Sequence, residues 1–297
     1  MDLRHLELLR ELADRGTVTA VAEASFRSPS AVSQQLRAAE RAFGTALVEQ
    51  DGRRLRLTAA GRLLADGAVG VASTLAGLQR DLDGLRGAPS GVVTISALPS
   101  AAEFLVPPVI ARLAGTGIGV QLTDSDVAEA DFAGRAADHD LVIGHTLAGA
   151  PPGTEHLVVR AVVREPLDLA VPSGHRLAGR ARVTAAELAG ERWIGVPVGY
   201  PFDTVRMAIE NAAGERLQVV QRLRDNRVVE ALVALGIGCA VLPRFTTRPR
   251  DGLVTVPLTD AGAVRTIVAL ARPDRLQRSA VAVVLDALAE VGAAIAD

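Results

Sequence analysis

Apolar residues recur at helical spacing through the first 57 positions. Leu3, Leu6, Leu9 and Leu12 form one stripe that stops near Gly16. Thr19 can cap a second short helix, Ala20 to about Ser25, made of small residues that permit close packing. A turn through Phe26 and Arg27 leads to Ser28 as N-cap and Pro29 as first helical residue, where a missing N–H costs nothing. Val32, Leu36, Ala39 and Phe43 then share one face, which the spacing predicts to be buried. The opposite face begins with Ser30, Ser33, Gln34 and Arg37: short hydrogen-bonding groups, then a cation, and nothing bulky. A helix that must lie close against the edge of another molecule needs such a face.

The stretch "LVEQDGRRLRLT" places an Asp51-Gly52 turn between residues that alternate toward Leu55 and Leu57, a strong hairpin signal. Arg53, Arg54 and Arg56 fall on its return strand. A helix-turn-helix followed by a basic hairpin is a winged helix-turn-helix. From Thr58 to about Gly87, Leu64, Ala68, Val71, Leu75, Leu78, Leu82 and Leu85 alternate spacings of four and three, a heptad seam that predicts a helix paired with another helix. Gly67, Gly70, Gly77 and Gly84 weaken it by ~1 kcal/mol each relative to alanine, so the helix needs its partner. "RGAPSG", 86–91, breaks the pattern and predicts a hinge.

Beyond residue 92, strand-like and helix-like runs alternate. "VVTISAL", "IGVQLT" and "DLVIGH" predict strands, and Ser100 can cap a helix holding Phe104, Leu105 and Val109. The pattern restarts after "VVREP" with "LDLAVPS" and later "GIGCAVLP". Such alternation predicts a parallel α/β arrangement in two units with a ligand cleft between them.

Composition narrows this picture. With 297 residues and 49% hydrophobic content the chain can bury two or three cores. A net charge of −2 requires any basic patch to be local, and all 32 basic residues are arginine, so arginine enrichment alone carries little weight. The single cysteine, Cys239, excludes an internal disulfide and any multi-cysteine metal site, and its apolar surroundings predict a buried, inert thiol. Acidic residues at Asp2, Glu7 and Glu11 oppose a signal peptide, and no uninterrupted apolar run reaches the ~18 residues that span a bilayer. A cytoplasmic protein without membrane association is expected. His145, His156, His175 and the Asp138-His139-Asp140 triplet have no G-x-S-x-G, phosphate loop or metal-spaced histidine pair beside them, so neither an enzyme nor a cofactor is expected. A bilobal solute-binding protein shares the grammar of the last two-thirds, but the front end opposes it.

The continuous stretch "TVTAVAEASFRSPSAVSQQLRAAERAFGTALVEQDGRRLRLTAAG" resembles the LysR-type transcriptional regulators. "LVPPVIARL", "HDLVIG", "DLAVPSGHRLAG" and "VVEALVALGIGCAVLP" fall in that family's order. The resemblance implies an α/β protein overall. It would have a winged helix-turn-helix (1–58), a long coiled-coil linker helix (59–88) and a two-lobed, periplasmic-binding-protein-like effector domain (89–297). Lobe I would take 92–163 plus 267–297, and lobe II 164–266. Pro29, Ser30, Ser33 and Gln34 would face bases, Gln34 pairing bidentately with adenine, while Thr19, Arg37, Arg53 and Arg54 hold phosphates. Pro99, Ser100, Gly144, His145, Val198 and Gly199 would meet a small-molecule effector, an anion by the favourable charge of a helix N-terminus. Double-stranded DNA with an interrupted inverted repeat, a second copy of the chain through the linker helix, a tetramer and RNA polymerase are the implied partners. Three positions depart from the family pattern: Ser25 and Ala39 stand where leucine is usual, and Gln50 where arginine ends the wing's first strand.

Overall fold

The computed structural model describes residues 2–51 and 54–296. The chain opens with α1 (Leu3–Arg15), α2 (Val18–Ala24) and α3 (Pro29–Phe43), then the hairpin β1 (Val48–Asp51) and β2 (Arg54–Leu57). Leu9, Val32, Ala39 and Leu47 are fully buried at the centre of this head. Two local expectations shift. Thr17, not Thr19, caps α2, its Oγ1 accepting Ala20 N–H at 3.1 Å, so the helix starts earlier and Thr19 sits exposed in its first turn. In the hairpin Asp51 pairs with Arg54, so Asp51 belongs to the strand and the connection falls on 52 and 53, outside the described residues.

One helix, α4 (Ala59–Arg86), leaves the head. Thr58 caps it through Gly61 N–H at 3.1 Å, and Ala65 and Leu64 join the head's core. The predicted seam therefore divides. Leu64 and Ala68 are covered within the chain, whereas Val71, Leu75, Leu78, Leu82 and Leu85 stand exposed along the rest of the helix.

The remainder comprises β3 (Gly91–Ala97), α5 (Pro99–Arg112), β4 (Ile118–Asp124), α6 (Phe132–Arg135), β5 (Leu141–Thr146), β6 (Val158–Pro172), β7 (Arg192–Gly195) and α7 (Pro201–Ala213). It continues through β8 (Gln218–Arg222), α8 (Asn226–Ala234), β9 (Ala240–Pro243), β10 (Leu253–Pro257), β11 (Val264–Ala271), α9 (Pro273–Leu276) and α10 (Ser279–Ala296). The arrangement is mixed rather than parallel as expected. β3 pairs in parallel with β4 and β5, but β11 runs antiparallel to both β5 and β6, and β9 and β10 are antiparallel to β6. Two main cores result, around Ile95, Leu105, Ile267 and Leu288, and around Leu169, Leu188, Trp193 and Ile209, with a third, smaller cluster around Ala170, Val233 and Leu242. The 15-residue β6 serves both, contributing Val162 and Val163 to the first and Leu167, Leu169 and Val171 to the second. By length and composition α10 could cross a membrane (mean hydropathy 1.8), but it packs Val281, Val284, Leu288 and Val291 into the first core.

Candidate nucleic-acid interface and effector cleft

The two glutamines of α3 have different jobs. Gln35 braces the head: its Nε2 donates to the Arg4 carbonyl at 2.9 Å and its Oε1 accepts from Arg27 Nη1 at 2.6 Å. Gln34, one helical step of about 100° away, is exposed with Pro29, Ser30 and Arg37, and Ser33 is half-buried beside them. Ser28 caps the helix through Ala31 N–H at 3.2 Å and shares a 2.9 Å hydrogen bond with Ser30. The face is thus short, polar and open at the N-terminal end of the helix, where the backbone dipole favours an anion. Arg53 lies outside the described residues, as does the side chain of Arg54.

Of the three departures, Ser25 is exposed and its hydroxyl donates to the Val21 carbonyl at 2.7 Å. Ala39 is fully buried, and Gln50 is exposed opposite Leu55. One feature escaped sequence reasoning: Glu40 accepts Leu47 N–H at 3.0 Å and so ties α3 to the approach of β1. Phe26 lies in a turn, as the sequence predicts, 99% exposed with a left-handed φ of 53°.

A cleft of about 1260 Å³ opens between the two cores of the second domain. Pro99, Ser100, His145, Phe202 and Arg265 line it. Ser100 does not cap α5, which begins at Pro99 behind Leu98; its hydroxyl accepts Arg265 Nη1–H at 2.9 Å. Arg265 is buried and pairs with Glu165, Nε and Nη2 lying 2.7 and 2.6 Å from Oε2. Burial pushes the carboxyl up and the guanidinium down in pKa, and each is offset by its partner's charge. His145, the last residue of the predicted strand "DLVIGH", lies inside β5 with its ring edge-on to Phe202, centroids 5.5 Å apart. Its Nδ1 is buried without a partner.

The other expected effector residues fall elsewhere. Gly144 faces away from the cleft, where a Cβ would meet the Phe132 ring at 2.7 Å, so it is a packing position. Val198 and Gly199 are exposed and do not line the cleft; their neighbours Val196 and Tyr200 do. The strand contact between Glu165 and Arg265, 100 residues apart, was invisible to local reading.

Burial, with Arg265 nearby, lowers the His145 pKa from 6.5 to about 3. The folded value lies below the ordinary one, so the unfolded chain takes up this proton first. The stability of the neutral ring is present above 6.5 and lost as pH falls toward 3, at up to about 1.4 kcal/mol per pH unit. His145→Gln is expected to flatten this acid limb in urea unfolding between pH 7 and 5. An unchanged slope would place the acid sensitivity at another group.

His175, Glu191 and Cys239 bring an imidazole, a carboxylate and a thiol within 4.8 Å of one another. Their hydrogen bonding is already internal: His175 Nε2 lies 3.1 Å from Glu191, its Nδ1 accepts Leu177 N–H at 3.3 Å, and Arg176 holds Glu191 at 2.8 Å. Cys239 is 2% exposed, and burial pushes its thiol up to about 12.

Comparison with known proteins agrees with this geometry. Residues 3–62 match the family described as bacterial regulatory helix-turn-helix protein, lysR family, and residues 86–293 match the LysR substrate binding domain. The chain is 28% identical over 251 residues to the RuBisCO operon transcriptional regulator of Allochromatium vinosum, covering 83% of this chain and 80% of that one. It is 28% identical over 294 residues to the DNA-binding transcriptional dual regulator OxyR of Escherichia coli, covering 94% and 92%. Full-length OxyR of Pseudomonas aeruginosa superposes with a TM-score of 0.61 at 17% identity, over 97% of this chain and 94% of that one. The Synechocystis CcmR regulatory domain in complex with 2-PG gives 0.58 at 18%, over 68% and 98%. Matched by both domain families along nearly its whole length, the chain belongs to the LysR family: a DNA-binding transcriptional regulator, not an enzyme, whose effector-binding domain follows its helix-turn-helix.

Proposed function

We propose that the chain works in the cytoplasm as a homodimer joined along α4. It reads an interrupted inverted repeat with Pro29, Ser30, Ser33 and Gln34, and responds to an anionic small molecule in the cleft. The observation that carries the reading is the open polar face of α3, with Gln35 turned inward and Gln34 left free to meet a base edge. The uncovered row from Val71 to Leu85 supports pairing with a second α4, since leucines exposed at heptad spacing gain burial only from another helix. Two recognition helices then sit about one DNA turn apart, near 34–36 Å. Thr19 and Arg37 flank the reading face as phosphate contacts, with Arg53 and Arg54 supplied by the wing. Pairing of dimers into a tetramer and contact with RNA polymerase extend the reading through the family alone.

For the effector, Ser100, Arg265 and the partnerless Nδ1 of His145 supply polar groups at the floor of the cleft. The 2-PG complex of the CcmR domain supports small-molecule binding in this fold. Other relatives are named hydrogen peroxide-inducible genes activators. A cysteine-borne version of that response does not suit this chain, because peroxide chemistry needs a thiolate and the single thiol is buried and held protonated.

The test is fluorescence anisotropy on the chain's own upstream DNA against scrambled DNA at two salt concentrations. Site preference with an affinity that falls steeply as salt rises is expected. Gln34→Ala is expected to relax discrimination at one base pair per half-site by about 1–3 kcal/mol. Identical discrimination before and after that change would remove Gln34 from the reading face.

A further inference from the structure

The head does not hang free from α4; its first helix is pinned to the effector domain by charge. Arg272, at the end of β11, donates from Nη1 to Asp14 of α1 at 3.3 Å. It also forks onto Asp274 at 3.1 and 3.2 Å. Asp274 reaches back to Arg10 of α1 at 3.4 Å. At the C-terminus of α1, Arg15 bonds both Glu11 and, across the gap, Asp138 at 2.6 Å each. Asp14, Arg10, Asp274 and Arg15 side chains are 12–15% exposed and Arg272 only 5%, so the cluster is largely desolvated, while Asp138, 49% exposed, meets Arg15 at its rim.

The strands behind these contacts also reach the cleft. β11 carries Arg265 at one end and runs into Arg272 at the other; β5 carries His145, and Asp138 lies just before its start. The two strands are hydrogen-bonded neighbours, Thr266 opposite Thr146 and Leu270 opposite Val142. The cleft floor and the latch are thus opposite ends of one stiff two-strand ribbon, ~20 Å long at strand rise.

We propose that the Asp14–Arg272–Asp274–Arg10 cluster and the Arg15–Asp138 pair latch the reading head to the effector domain, so that the ribbon sets the direction in which α3 points. This rests on the dimeric reading above. A head held at a fixed angle must demand a fixed half-site spacing, because a duplex rotates by one turn every 10–10.5 base pairs. A head on a loose hinge would tolerate inserted base pairs.

The experiment uses the full-length protein and an operator selected from random DNA, with one to four base pairs added between half-sites. Asp138 is half-exposed, so Asp138→Arg should fold, which thermal melting would verify, and it sets two arginines against each other. Wild type is expected to lose about tenfold in affinity on a two-base-pair insertion, and Asp138→Arg clearly less, about threefold. Combining Glu11→Gln and Arg15→Glu with Asp138→Arg should restore the wild-type ratio by reversing the pair, the change at Glu11 removing the carboxylate that now holds Arg15. Insertion profiles that coincide for wild type and Asp138→Arg would overturn the latch, as would failure of the reversed pair to restore discrimination. Absence of any operator preference in wild type would instead overturn the DNA-reading assignment beneath it.

Discussion

Glu165→Ala is expected to cost the effector domain about 3–5 kcal/mol, the range for removing one partner of a buried ion pair. Glu165 is fully buried on β6 and accepts two hydrogen bonds, from Arg265 Nε on one oxygen and from Phe245 N–H at 2.7 Å on the other, with Arg265 Nη2 2.6 Å away as its ion-pair partner. Without it Arg265, 1% exposed, keeps the Ser100 hydroxyl and the Phe202 ring face but no ion-pair partner among the described residues. Urea unfolding of the full chain measures the loss. Replacing both residues by apolar ones, Glu165→Leu with Arg265→Met, should recover most of it, because a matched apolar pair avoids the desolvation that the ions must offset. A double variant as unstable as the single one would show that packing, not the orphaned charge, sets the cost. The double variant is also expected to lose effector response, since Arg265 lines the cleft.

Gly61→Ala should destabilise the head by about 1–3 kcal/mol through overpacking. A Cβ there would stand 2.1 Å from the Leu47 carbonyl oxygen, which already accepts Thr58 N–H at 3.0 Å. The obstacle is backbone, so no side chain can swing away. The same substitution at Gly70 or Gly84 meets open space and should instead stabilise α4 by up to ~1 kcal/mol, the helix propensity difference. These two positions share the heptad place opposite the leucine row, so dimer contacts should not obscure the comparison. Thermal melting of the three variants separates the cases. A Gly61→Ala protein as stable as wild type would mean that the Leu47 turn yields to the added methyl.

Local periodicity made the head readable. Caps, stripes and the Asp-Gly hairpin are all decided within a few residues, and α3 has its expected start at Pro29 and runs through Phe43, the last residue of the predicted face. The errors there are of one or two residues, as with Thr17 and Thr19, which offer the same capping hydroxyl two positions apart. The effector domain was readable as strands and helices but not as a sheet, because alternation alone does not reveal that β11 returns antiparallel between β5 and β6. The cleft suffered most. His145 ends a predicted strand, but nothing local turns its ring toward a cleft, and Glu165 and Arg265 sit in apolar runs whose contact depends on that unseen register. Arg272 and Asp14, 258 residues apart, belong to the same class.

β6 holds a further consequence. Up to Pro166 it pairs with β11; from Leu167 onward it pairs with β9 and, nearly in step, with β10. One uninterrupted peptide therefore acts as the axle on which both lobes are mounted. Narrowing of the cleft is taken up at that handover, beside the Glu165 carboxylate, and at the second crossing, where the chain passes from Ala263 of the second core into β11. Cleft width and lobe angle are thus linked, and a ligand that fills the floor at Arg265 acts directly beside the handover.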